Sequence, residues 1–269
     1  MLPINLFSFG YYPDWLRALD DLEAKAQPEP WAFPGDIRDR PNNSNPLLED
    51  YVNNIFTFAA SLYNAAETQE ERDKLVVIRP RFALFDTGLM TREYAPILAY
   101  FIPNNSAGKT PWVFKSWGTP GGPLLARTAP LPDRLPTAPQ TPYNPAWPIR
   151  INTEHMIQEE ENYNRLPETV RNFHFLPLII EAAVEQARRK AVLTPSIVVP
   201  QIFARRVHFL LPICMTDPKR PDLALSMTQE DGYYRGATLL TLRMAYQCAR
   251  RAGRDMAPWL LEAMKEGTA

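Results

Sequence analysis

The spacing of apolar residues along the chain predicts helices in five places. At each of them apolar side chains recur every three to four positions, so that one face of a helix is apolar. The predicted helices are Pro13–Ala26, Pro46 to about residue 66 with Asn45 as its cap, about Thr153–Asn162, about Pro177–Val192, and Thr238–Ala252 ended by Gly253.

Runs that are continuously apolar or that alternate between apolar and polar predict strands. The predicted strands are Leu75–Phe85, Ile97–Ile102, Pro111–Trp117, Pro148–Asn152, Ser196–Phe203, Arg206–Thr216, Leu223–Thr228 and Tyr233–Gly236. Helices before and between runs of strands are typical of the α+β class. We predict a single α+β domain over residues 1–269, with a mostly antiparallel sheet flanked by N-terminal, central and C-terminal helices. It comprises a helical part, residues 1–75, and a sheet-containing part, residues 76–269, with no internal repeat visible in the sequence.

Proline changes this picture in one segment. The chain has 28 prolines and only 11 glycines, whereas an average protein has roughly 5% proline and 7% glycine. The stretch 103–148 holds 11 of the prolines in 46 positions. It is either a disordered polyproline tether or an ordered surface loop held by Tyr143 and Trp147; we favour the ordered loop, because disordered segments contain few aromatic residues. The shortage of glycine argues against a glycine-rich phosphate loop.

Charge and cysteine content limit the class of protein. Residues 1–75 carry 13 acidic and 6 basic side chains and residues 76–269 carry 17 and 23, so the larger part is mildly cationic and compatible with a polyanionic partner. Cys214 and Cys248 lack CxxC spacing, which favours reduced core thiols, and with the three histidines they form no metal-ligand spacing.

No apolar run approaches about 18 residues and no signal peptide is recognisable, so we expect a cytoplasmic protein without a membrane partner. The sequence specifies neither a cofactor nor an oligomeric state.

The short motif Ala83-Leu84-Phe85-Asp86-Thr87-Gly88 resembles the Asp-Thr-Gly loop of aspartic proteases and makes Asp86 a candidate catalytic residue. That chemistry needs a second aspartate, whereas this chain has one such motif. The alternative is a turn in which Asp86 bonds its own backbone and Gly88 takes a positive φ.

Two further groups of residues could bind an anion. Arg150, Asn152 and His155 are spaced so that a strand end and the next helical turn could present a cation, an amide and an imidazole together, with His155 as a general acid or base. Alternatively, Asn152 caps that helix.

The second group is Arg235, Thr238 and Thr241. These residues are expected where a strand turns into the last helix, whose N-terminus favours an anion. The Lys115 side chain could contribute to the same anion site. The alternative is that these residues only cap the helix and carry charge at the edge of the sheet.

A set of motifs in consistent order covers nearly the whole chain: Leu6-Phe7-Ser8-Phe9, Pro28-Glu29-Pro30-Trp31, Phe85-Asp86-Thr87-Gly88-Leu89, Pro111-Trp112-Val113-Phe114-Lys115, Arg150-Ile151-Asn152-Thr153-Glu154-His155, Val199-Pro200-Gln201, Leu210-Leu211-Pro212-Ile213-Cys214 and Tyr234-Arg235-Gly236-Ala237-Thr238-Leu239-Leu240-Thr241-Leu242. This set resembles the domain-of-unknown-function family numbered 3825. The resemblance implies an association with RNA-binding modules, to which members are often fused. Asp86 stands where the family's motif has Asn.

Three functions are open at this point. The first is an RNA- or nucleotide-binding domain, for instance in RNA processing, with Trp112 and Trp117 as a stacking surface. Its cationic phosphate site would be formed by Lys115, Arg150, Asn152, Gln201, Arg235, Thr238 and Thr241. The second is a hydrolase or transferase acting on a nucleotide or RNA end, with His155 as general acid or base. The third is a protein-interaction scaffold that presents the proline-rich loop.

Overall fold

The computed structural model describes residues 1–33, 36, 42–105, 110–123, 125, 130–133, 142–203, 206–253 and 256–265. It divides into two compact units, unit 1 (Met1–Pro136) and unit 2 (Thr137–Ala269). Each unit has its own sheet and its own hydrophobic cluster. The α+β class is therefore confirmed, with the strands divided between two sheets, and the single domain over 1–269 stays a prediction.

Unit 1 places short helices before a run of strands. Its described elements are α1 (Leu6–Phe9), β1 (Gly10–Tyr11), α2 (Trp15–Lys25), α3 (Pro46–Ala65), α4 (Gln69–Leu75), β2 (Val76–Arg79), β3 (Phe82–Met90), β4 (Pro96–Pro103) and β5 (Trp112–Gly118).

Unit 2 follows the same plan and adds two helices at its end. Its described elements are β6 (Ile149–Ile151), α5 (Thr153–Gln158), α6 (Glu160–Arg165), α7 (Glu168–Arg171), α8 (Leu176–Leu193), a 3₁₀ turn (Pro195–Ile197), β7 (Val199–Phe203), β8 (Arg206–Ile213), β9 (Leu223–Gln229), β10 (Tyr234–Thr241), α9 (Leu242–Ala252) and α10 (Pro258–Lys265).

The two sheets have the same topology. Their strand orders are β1-β5-β4-β3-β2 and β6-β10-β9-β8-β7. In each, four strands form an antiparallel meander and the short first strand pairs in parallel with the last. Each last strand also carries one unpaired residue at the corresponding place, Lys115 in β5 and Ala237 in β10. The structure thus contains a repeat of topology that the sequence does not reveal.

In unit 1 both faces of the sheet are packed. One face contributes aromatic residues such as Phe85 and Phe101, which contact Phe56 of α3 and Phe9 of α1. The opposite face forms a cluster with two side chains of the proline-rich stretch. Its members are Val77, Leu84, Leu98, Phe82, Tyr100, Leu125 and Leu131.

In unit 2 the two faces of the sheet differ. One face packs its alternate side chains, among them Phe209, Leu211, Met227 and Tyr234, against α5 and α8. We call the opposite side the open face because it is exposed at its β6 end; α9 contacts β7, β9 and β10 on this side, and Leu210, Ala224 and Leu240 are buried there.

The described parts of the proline-rich stretch are anchored by apolar and aromatic side chains. In unit 1, Leu125 and Leu131 pack on the sheet. In unit 2, Tyr143 stacks on Tyr234 at 4.9 Å between ring centroids, and Trp147 contacts the same ring. Burial raises the pKa of Tyr143 to about 12. These contacts order the described parts of the stretch; the remainder of 103–148 lies outside the described residues, so the ordered loop stays a prediction.

Three predicted elements differ from the structure. The apolar run Leu75–Phe85 was predicted as one strand and is a hairpin, because Pro80 and Arg81 turn the chain between β2 and β3. The predicted helix Thr153–Asn162 is broken at Glu159 into α5 and α6. The predicted helix at Thr238 begins only at Leu242, because residues 238–241 continue β10.

Candidate functional site

The open face of unit 2 carries a row of polar side chains that crosses all five strands. Register pairing joins Arg150 to Arg235, Arg235 to Thr228, Thr228 to His208, and His208 to Gln201. We call these five residues the polar row. Because paired residues of neighbouring strands point to the same side of a sheet, the five side chains share one face.

The polar row runs from an exposed end to a buried end. At the exposed end, Arg150 lies on the edge strand β6 and Arg235 on the neighbouring strand β10, and both side chains are exposed. Thr228 and His208 are half-buried, with Thr228 Oγ1 and His208 Nδ1 3.1 Å apart. Gln201 is buried and donates from Nε2 to Ser226 Oγ at 2.7 Å.

The two arginines are held differently. The Arg150 guanidinium lies over the ring of Tyr233, 4.2 Å from its centroid. Arg235 donates from Nε to Glu230 Oε1 at 3.2 Å. Like charges that face each other across strands repel, and these two contacts offset part of that repulsion. The exposed end of the polar row therefore carries two cations, one stacked on an aromatic ring and one paired with a carboxylate.

The sequence-predicted site residues of unit 2 divide into three groups. Arg150, Arg235, Gln201 and Thr238 lie on the open face, where Thr238 pairs with Ser226. Two others cap helices: Asn152 accepts from the His155 N–H at 3.0 Å and Thr241 from the Met244 N–H at 3.3 Å.

His155 lies apart from the open face. It is on α5, whose Met156 packs in the core on the opposite side of the sheet. The imidazole is exposed, and its Nε2 lies 3.1 Å from Glu159 Oε1.

The remaining predicted residues, Asp86 and Lys115, belong to unit 1. Asp86 is buried and accepts the Gly88 N–H at 2.8 Å, while Gly88 has φ +72°, so the turn geometry considered for Asp-Thr-Gly is present inside β3. Lys115 is the exposed, unpaired bulge residue of β5. Trp117 was predicted to offer a stacking surface; this was wrong, because its ring is buried and its Nε1 donates to the Ala18 carbonyl at 2.6 Å.

His208 and Thr228 were missed by sequence reasoning. His208 lies next to Phe209 in an apolar strand and is typical of a structural histidine, so nothing in the local sequence marks it. Only the register of β7, β8 and β9 aligns it with Gln201 and the arginines.

One family matches the sequence over nearly its full length. Its description is "Domain of unknown function (DUF3825)", and the match covers residues 22–259 of 269. The chain belongs to this family. No curated protein matches the DUF3825 chain at a significant level, and no solved structure does.

Other features of the described residues bear on the chemistry. They contain no group of three or more His, Cys, Asp or Glu side chains that could hold a metal ion. Within those same ranges no helix has the length and apolar character needed to cross a membrane. Burial raises the pKa of the Cys214 and Cys248 thiols, which makes both poor nucleophiles near neutral pH.

Proposed function

We propose that this DUF3825 chain binds single-stranded RNA on the open face of unit 2. The observation that carries the proposal is the pairing of Arg150 with Arg235 in register at the exposed edge of the sheet, with Arg150 stacked on Tyr233. Guanidinium groups bind phosphate, and planar guanidinium and aromatic groups stack on unpaired bases.

The position of the polar row supports a strand of RNA rather than a single phosphate. From the two arginines the row continues to Thr228 and His208, whose side chains can exchange hydrogen bonds with bases or 2′-hydroxyls. RNA-binding domains also display stacked bases on the face of an antiparallel sheet, and the part of this face that is accessible for such stacking is the exposed end with Arg150 and Arg235.

The test compares the affinity of the full chain and its variants for a short, labelled oligouridine. Arg150→Gln and Arg235→Gln remove one cation each from the open face. Each is expected to weaken binding about tenfold, since a hydrogen bond to a charged group contributes roughly 1.5–3 kcal/mol. Each should also lower the slope of log Kd against log salt by about 0.7.

Arg189→Gln is the matched control. Arg189 is exposed on α8, the helix that packs on the opposite side of the sheet, so its loss removes the same charge from another surface. We expect it to bind RNA nearly as the wild type does. Unchanged RNA affinity in the Arg150→Gln/Arg235→Gln double variant would refute the proposal.

A further inference from the structure

Unit 1 contains an open, polar cleft; Trp117 is the one lining residue that the sequence analysis singled out. It lies where the end of α2, the turn between β3 and β4, and the loop after β5 meet, and its volume is about 550 Å³. Pockets for small molecules typically have volumes of about 300–1,000 Å³. We call it the polar cleft; the residues that line it include Lys25, Thr91, Arg92, Glu93 and Ser116.

Two cations face each other at this cleft. An isolated antiparallel bridge joins Ala26 to Thr91, and the Gln27 N–H donates to the Met90 carbonyl at 2.8 Å. Lys25 precedes the bridge and Arg92 follows it, so the bridge sets them opposite each other. In the part of the chain that the structure describes, neither side chain forms an ion pair or a hydrogen bond. The Glu93 carboxylate lines the same cleft, and an anion bound by Lys25 and Arg92 would reduce the repulsion that remains between these two cations.

Hydroxyl groups and a carboxylate complete the lining. Thr91 Oγ1 accepts from the N–H groups of Glu93 and Ala95, both at 3.3 Å, so its own proton is not used in either bond. Ser116 adds a second hydroxyl, and the Glu93 carboxylate is an acceptor for ligand hydroxyls.

The wall beside β5 is shaped by glycine. Three of the 11 glycines, Gly118, Gly121 and Gly122, fall within five positions. Gly121 has φ +79°, and a Cβ on Gly122 would lie 3.1 Å from the Thr119 carbonyl oxygen. The tight turn closed by the Gly122 N–H on that carbonyl therefore depends on glycine. The low overall glycine content conceals this local concentration.

From these contacts we infer that the polar cleft binds a small molecule that carries a phosphate monoester on a sugar. Lys25 and Arg92 bind the phosphate together with the hydroxyls of Thr91 and Ser116, and Glu93 accepts from sugar hydroxyls. A sugar phosphate and a nucleoside monophosphate share this chemistry. The inference uses none of the open-face residues of unit 2, so it does not depend on the RNA proposal.

The experiment is isothermal titration calorimetry on the full chain with three probes: AMP, ribose 5-phosphate and adenosine. We expect AMP to bind and adenosine, which lacks the phosphate, not to bind. Equal affinity for ribose 5-phosphate identifies a sugar phosphate as the ligand class, and weaker affinity than for AMP identifies a nucleotide. Failure of both phosphorylated probes to bind, or adenosine binding as tightly as AMP, overturns the inference.

Variants place the binding in the cleft. Lys25→Gln and Arg92→Gln are expected to weaken AMP binding about tenfold each. Arg81→Gln removes an exposed cation of unit 1 that does not line the cleft and should leave the affinity unchanged. Lys25 and Arg92 are exposed, so a circular dichroism melt should show that these variants remain folded. Wild-type AMP affinity in both cleft variants would contradict the assignment.

Discussion

At the scale of single residues, Gly88 shows most clearly how the backbone of unit 1 depends on one amino acid. It has φ +72° inside β3, and a Cβ added there would lie 2.6 Å from the Tyr51 hydroxyl oxygen. Both the positive φ and the close approach of Tyr51 therefore exclude a side chain.

Gly88→Ala should lower the free energy of unfolding by about 2–4 kcal/mol, because strain at a positive φ adds to a steric clash. In a Tyr51→Phe background the nearest remaining ring atom is Cζ, 3.8 Å away, so the cost of Gly88→Ala should fall to about 1–2 kcal/mol. Denaturant unfolding of the four proteins in this double-mutant cycle measures both values. Equal costs in the two backgrounds would show that the hydroxyl does not restrict residue 88.

The sequence identifies single residues of the candidate site but not how they are arranged relative to one another. Arg150, Gln201 and Arg235 stand out in the sequence, but their alignment with Thr228 and His208 follows from the pairing of five strands. A shift of one residue in any pair would turn the side chains to the other face, and a single sequence does not fix that register.

At the scale of elements, the boundary between β10 and α9 shows where periodicity misleads. Leu239 and Leu242 fit a helical stripe as well as a strand, and the helix was predicted to begin at Thr238. The structure begins α9 at Leu242 because the Thr241 hydroxyl caps it while residues 238–241 remain paired with β9. The helices Trp15–Lys25, Pro46–Ala65 and Leu176–Leu193 were predicted to within a few residues, since each is long and starts at a proline or a capping side chain.

Thr241→Ala should therefore reduce the free energy of unfolding by about 1 kcal/mol, because an N-cap side chain contributes about 0.5–2 kcal/mol. Thr241→Ser keeps the hydroxyl that accepts the Met244 N–H and should stay close to the wild type. Chemical denaturation of the two variants measures the difference. If alanine and serine were equally stable, Thr241 would not act as the cap.

At the scale of the whole molecule, the shared topology of the two sheets raises the question of cooperativity. Each unit has a meander, a parallel edge strand and a hydrophobic cluster of its own. The length and composition of the sequence allow one large domain or two closely packed ones, and we predict a single α+β domain. Strand order and bulge position are properties of backbone pairing, so two units can share them without a repeat in the amino-acid sequence.

Leu211→Ala decides between one cooperative domain and two. Leu211 is fully buried in the cluster of unit 2, and its truncation should cost about 2–5 kcal/mol. With two cooperative units, hydrogen exchange should accelerate in β7–β10 and change little in β2–β5. Equal acceleration in both sheets would support the single domain predicted from the sequence.

The most direct test of the central claim is the affinity of the wild-type chain for single-stranded RNA as a function of salt. Anisotropy of a labelled oligouridine should show binding at roughly 50 mM salt and a marked loss of affinity by roughly 200 mM, because released counter-ions drive binding to phosphates. Absence of binding at the lower salt concentration, or an affinity that does not change with salt, would contradict RNA binding through Arg150 and Arg235.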